Sequence, residues 1–114
     1  MRVLRFFFDA GSGVVLWSEG YPADLELLPI DADLAGELER LTGLYDTSLN
    51  WNSPMDPGPW REAECVSFDL AVRQALTRLR DQLGAEWQVD EHLDELHEDP
   101  DLDRYLADPH NFRR

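Results

Sequence analysis

Phe68, Val72, Ala75, Leu79 and Leu83 recur at spacings of four, three, four and four. At 3.6 residues per turn all five fall on one face of a helix, and no other feature limits the possible folds as much as this amphipathic rod. Pro59 suits its first turn, where a missing N–H has no internal partner to lose; Glu62 and Glu64 suit its positive end, and Gly84 its stop. A second stripe, Leu34, Leu38, Leu41, Tyr45 and Leu49, has the same spacing and follows Asp31, whose carboxylate can cap a first turn. The apolar faces of two such helices need a partner surface.

Strand patterning supplies it. From Arg2 to Phe8 the residues alternate, with Leu4, Phe6 and Phe8 on one face and Val3, Arg5 and Phe7 on the other. Turn residues Asp9 to Gly13 follow, then Val14 to Trp17, which predicts a β-hairpin. Trp87 and Val89 alternate with polar neighbours and predict a third strand over 86–90. Gly20-Tyr21-Pro22 reads as a break, and Leu25 to Ile30 as a short strand stopped by Pro29. The expected fold is α+β: a small, mainly antiparallel sheet covered on one face by two main helices, with short acidic helices at the C-terminal end. A chain of 114 residues, 43% hydrophobic, suits one domain, with a core over 1–90 and an acidic extension over 91–114.

Charge narrows the function. The chain carries 24 acids against 10 cations, all of them arginine, for a net charge of -14. Such a chain repels a phosphate backbone or an anionic membrane surface, so neither nucleic acid nor membrane is expected as a partner. No apolar run approaches the roughly 20 residues that span a bilayer, and the apolar part of the opening MRVLRFFFDAG is too short for a signal peptide. With Cys65 as the single cysteine, a reducing, cytoplasmic setting is expected. Between Glu86 and His110, ten acids face one arginine, leaving -9 on that segment. Leu93, Leu96, Leu102, Tyr105 and Leu106 interrupt it, which favours amphipathic helices over a featureless tail.

The same segment holds His92 and His97 among Asp94, Glu95, Glu98 and Asp99, residue types that ligate cations. Histidines five apart on a helix point about 140° away from one another, so a metal site is not expected, nor any cofactor. Cys65 is expected to pack, although a nucleophile served by a distant histidine would give a small hydrolase or a metal-dependent enzyme built on carboxylates and His92. The loop from Asp46 to Trp60 carries three prolines and, with Tyr45 before it, the aromatic anchors Trp51 and Trp60 set among Asn50, Asn52 and Ser53. It serves either as a partner surface or as a lid folded over the helix pair.

Tyr45-Asp46-Thr47-Ser48-Leu49-Asn50-Trp51 with Pro57-Gly58-Pro59-Trp60, together with the opening Leu4-Arg5-Phe6-Phe7-Phe8 and Leu16-Trp17, resembles a group of small bacterial proteins over roughly residues 2 to 90. The resemblance implies a shared fold and supplies no catalytic residues. In size and acidity the chain is also similar to the immunity proteins of polymorphic toxin systems. That similarity implies a binding protein that neutralises a basic protein partner. Glu91, Asp94, Glu95, Glu98, Asp99, Asp101 and Asp103 would then steer the encounter, and Trp51 and Trp60, with Asn50 and Asn52 beside them, would hold the complex. Uncovered sheet edges leave a homodimer as a further expectation.

Overall fold

A computed structural model describes residues 1–114. Its elements are strands β1 (Arg2–Phe6), β2 (Leu16–Ser18) and β3 (Tyr21–Pro22), helices α1 (Ala32–Thr47) and α2 (Glu62–Leu83), strand β4 (Trp87–Glu91) and helix α3 (Leu102–Ala107). The sheet has four strands in the order β3-β2-β1-β4. The β1–β2 and β2–β3 pairs are antiparallel, while β1–β4 is parallel, with Leu4 opposite Val89. The expected α+β architecture is therefore observed, with a parallel pair at one side and one strand more than expected.

That extra strand lies where the sequence suggested a break. Glu19 and Gly20 both take positive φ, 53° and 85°. They form the two central residues of a tight turn whose twist matches a hairpin, and this pairs Ser18 with Tyr21. The strand expected at Leu25 to Ile30 is instead a 3-10 turn over Leu25–Leu27, capped by Asp24, whose carboxylate accepts from the Glu26 N–H.

Both helices follow their stripes, except that α1 ends at Thr47 and leaves Leu49 beyond it. Leu34, Leu38 and Leu41 from α1, with Phe68, Val72, Ala75, Leu79 and Leu83 from α2, are buried together with Leu4, Phe6, Leu16 and Val89 of the sheet in one cluster. Each fully buried aliphatic or aromatic side chain here contributes roughly 1.5–3 kcal/mol of transfer free energy. Asp31 caps α1 as expected, accepting from the Leu34 N–H at 2.8 Å. Gln82, near the end of α2, accepts from the Asp31 N–H and donates to the Asp31 carboxylate, so one helix's start is fastened to the other's end. At the opposite end Trp60 donates to Thr47. The pair thus runs antiparallel. Helix α2 begins later than Pro59: Arg61 is the N-cap residue, and its N–H donates to Glu64 in the first turn at 3.0 Å. Gly84, at φ 78°, ends it as expected.

Past β4 the expected run of short helices is reduced to α3 and a 3-10 turn at Pro109–Asn111; residues 92–101 form an irregular strap. Leu93 and Leu96 of the strap pack against the core, and Leu102 and Phe112 are buried beyond it. No helix is long and apolar enough to cross a membrane. Along the outer edge of β4 the Val89 carbonyl accepts from Arg80 at 2.8 Å and Glu91 pairs with Arg73, so side chains of α2 already occupy part of the edge that a second copy would need.

Candidate functional site

Strap 92–101 crosses the N-terminal half of α2, and three fastenings hold it there. The Leu96 N–H donates to Asp69 Oδ2 at 3.1 Å. Glu62 Oε2 accepts from the Glu98 N–H at 2.8 Å, and the Glu62 N–H donates back to the Glu98 carboxylate at 3.2 Å. His97 Nδ1 lies 2.9 Å from Glu62 Oε1. These contacts set the local titration. The backbone N–H of Glu98, and then His97, hold the Glu62 carboxyl below its ordinary range. The hydrogen bond to Glu62 raises His97. Asp69 is shifted upward, because partial burial outweighs the Leu96 N–H.

The structure divides the seven expected partner-binding acids into two groups. Arg114 pairs with Asp99 at 2.8 Å and with Asp101 at 3.2 Å, and Arg104 also reaches Asp101. The Arg114 hydrogen bond holds Asp99 below its usual range. Arg61 pairs with Asp103 at 2.8 Å and lies 3.7 Å from Glu98, and Arg73 pairs with Glu91 at 2.8 Å. Arginines of the same chain thus answer Glu91, Glu98, Asp99, Asp101 and Asp103. Asp94 has no ion pair, and Glu95 faces only His97 Nε2 at 3.8 Å. The uncompensated charge of the strap is therefore concentrated at residues 94 and 95, both exposed.

The aromatic loop also divides. Trp60 is half-buried against the core, its ring 5.2 Å from that of Phe68, and acts as the lid. Trp51 stays 60% exposed; its indole N–H donates to the Asp46 carbonyl at 2.7 Å, and its ring rests over Gly11. Asn50 is turned inward: its amide donates to the Pro57 carbonyl and to the Tyr105 hydroxyl, both at 3.1 Å, while its oxygen accepts from the N–H groups of Asn52 and Ser53. It organises the loop and ties it to α3. Asn52 is exposed beside it.

Next to Asp94 and Glu95 lies a cavity of about 310 Å³ between the strap and α2. Three aromatic rings line it: Phe8 stacks on Tyr45 at 5.0 Å and lies 5.4 Å from Phe68. Leu93 and Leu96 continue the apolar lining, and Asp69, Arg73, His92, Asp94 and Glu95 supply its polar groups. Sequence reasoning singled out Asp94 and Glu95 but missed Asp69, a polar position next to the α2 stripe, and missed that Phe8 and Tyr45 meet across the end of the sheet.

Of the residues of an enzymatic reading, Cys65 and His92 line different cavities, while His97 shares a hollow with Cys65. Cys65 is 2% exposed and lines a separate hollow of about 320 Å³ beside Trp60 and His97, whereas His92 lines the first cavity. Burial, and then the carboxylates of Glu62, Asp69 and Glu64, push the Cys65 thiol up, away from the reactive thiolate. No three His, Cys, Asp or Glu side chains are grouped so that they could hold a metal ion.

A family model described as Serratia CdiI immunity protein-like matches residues 4–92, from β1 to the first residue of the strap. No curated protein matches the chain.

Proposed function

The chain belongs to the Serratia CdiI immunity protein-like family, and from that premise we propose that it is a non-enzymatic, cytoplasmic protein that binds a toxin with a basic surface and neutralises it. Family membership carries the toxin partner. The basic character of the partner rests on the net charge of -14 and on the two strap carboxylates, Asp94 and Glu95, that no arginine answers.

The chemistry follows from the two kinds of surface. Long-range attraction between an acidic face and a cationic cleft raises the association rate, and desolvated apolar contacts slow dissociation. Asp94 and Glu95 serve the first role. Exposed Trp51, held in place by its hydrogen bond to Asp46, serves the second. Glu98, Asp99, Asp101 and Asp103 act chiefly within the chain, locking strap and α3 to the body so that the acidic face is presented in one conformation. Neutralisation then consists of covering the basic site the toxin uses.

Capture from a lysate of the source cells tests this, at low salt and again at high salt. The expected result is one stoichiometric basic protein, released by salt, whose expression alone is toxic and whose toxicity co-expression of this chain relieves. A captured partner that is acidic, or one whose toxicity the chain does not relieve, overturns the reading.

A further inference from the structure

The cavity between α2 and the strap combines features that an acidic surface alone does not have. Its walls are the rings of Phe8, Tyr45 and Phe68 with Leu93 and Leu96, and three carboxylates, Asp69, Asp94 and Glu95, border it. Its one arginine, Arg73, donates to Glu91 at 2.8 Å, and His92 is its one histidine. Asp69 gives one oxygen to the Leu96 N–H and leaves the other without a protein partner. At about 310 Å³ the space is at the small end of ligand pockets, suited to one extended side chain rather than a nucleotide-sized molecule.

We propose that this cavity receives a single arginine or lysine side chain projecting from the protein partner, its apolar stem against the three rings and its cationic head among Asp69, Asp94 and Glu95. The inference rests on the reading of the protein as one that binds a basic partner, and it specifies where that partner is gripped. Apolar walls suit the methylene stem of a long cationic side chain, and ring faces attract its charge. The fold uses the same contact elsewhere: the Arg104 guanidinium lies 4.5 Å from the centre of the Phe112 ring, and that of Arg2 lies 5.1 Å from Trp87. A carboxylate oxygen left free beside an apolar wall favours a cation over an anion or a neutral group, because its field is less screened there than in open water.

Nα-acetyl-argininamide is the probe, titrated into the full chain while backbone amide and aromatic NMR signals are followed, with Nα-acetyl-citrullinamide as its uncharged counterpart. The expected result is saturable movement of the amides of Leu93 to Leu96 and of the Tyr45 and Phe68 ring signals. The citrulline compound should bind at least about tenfold more weakly, as should the arginine compound to the Asp94→Asn/Glu95→Gln variant. Both substituted positions are exposed, and an unchanged spectrum elsewhere verifies that the variant is folded. Absence of saturation, equal response to citrulline, or shifts confined to Glu98 to Asp103 overturns the proposal. A second arm uses the captured toxin. If the toxin binds the double variant as tightly as the parent chain, the cavity is not its grip and the proposal falls, while the reading of a basic partner stands. If no basic partner is found, that reading falls, and the titration still decides whether the cavity takes a cation.

Discussion

Replacing Gly58 by alanine should unseat the aromatic loop. A Cβ at this position would fall far inside van der Waals contact with the Ser48 carbonyl oxygen, a backbone atom that cannot rotate away, and would also crowd the Ser48 carbonyl carbon. The backbone between Pro57 and Pro59 must therefore move. Pro57 is fully buried and its carbonyl accepts from Asn50, so the movement loses that hydrogen bond and strains the packing around it. Overpacking of this kind costs about 1–3 kcal/mol and the hydrogen bond about 1 kcal/mol. The smaller entropy of an unfolded chain with alanine offsets about 0.4–1 kcal/mol, leaving a net loss of about 2 kcal/mol. For a chain of this size that lowers Tm by about 8 °C. Urea unfolding followed by tryptophan fluorescence and a thermal scan by circular dichroism measure it. The Trp51 and Trp60 signals should also change in the folded baseline, because the loop between them is displaced. A variant within about 0.5 kcal/mol of the parent, with unaltered fluorescence, would refute the close approach of Gly58 to Ser48.

Three further outcomes can be checked with single substitutions or reagents. Asp31→Ala removes the cap of α1 and one of the two hydrogen bonds to Gln82, the one its carboxylate accepts, and should cost about 1–2 kcal/mol in urea unfolding. The His97–Glu62 pair makes strap docking pH-dependent. His97 is raised in the folded state, so its contribution is fully present below its unfolded value of about 6.5 and is lost as pH rises through the folded value. Glu62 is lowered, so its contribution is present above about 4.5 and lost as pH falls through its folded value. The stability difference between the parent and His97→Gln should therefore be largest near pH 5.5 and should vanish in mildly alkaline solution; a difference that grows with pH contradicts the pairing. Cys65, buried and with its thiol pushed up, should react with a thiol reagent at neutral pH only as fast as the protein opens, and rapid labelling of the folded chain would contradict that burial.

Residues that answer to a period or a cap were readable from the sequence. The stripes of α1 and α2, the Asp31 cap, the Gly84 stop and the inward face of Leu4, Phe6 and Phe8 all follow from local spacing, and the structure keeps each of them except Leu49, the last residue of the α1 stripe, which lies beyond the helix end at Thr47. Strand β3 was missed because its turn begins with Glu19, where asparagine or aspartate is the usual signal, and only Gly20 carried the hint. The parallel pairing of β1 with β4 depends on which side of the sheet the helices cross, and no local pattern states that. The acidic segment was legible only in part. Its total charge is plain in the sequence, but which carboxylates stay free depends on arginines as distant as Arg61 and Arg114. The loop-organising bonds of Asn50 were not legible, because its partners Pro57 and Tyr105 come near it only after folding.

If Asp94 and Glu95 present the free acidic face to a basic toxin, stopped-flow association of the captured toxin with the parent chain and with Asp94→Lys/Glu95→Lys, across a range of salt, will separate the two chains. The parent's association rate should fall steeply as salt rises, and the variant should associate at least about tenfold more slowly at low salt with a much flatter salt dependence. Equal rates for the two chains at low salt would contradict it.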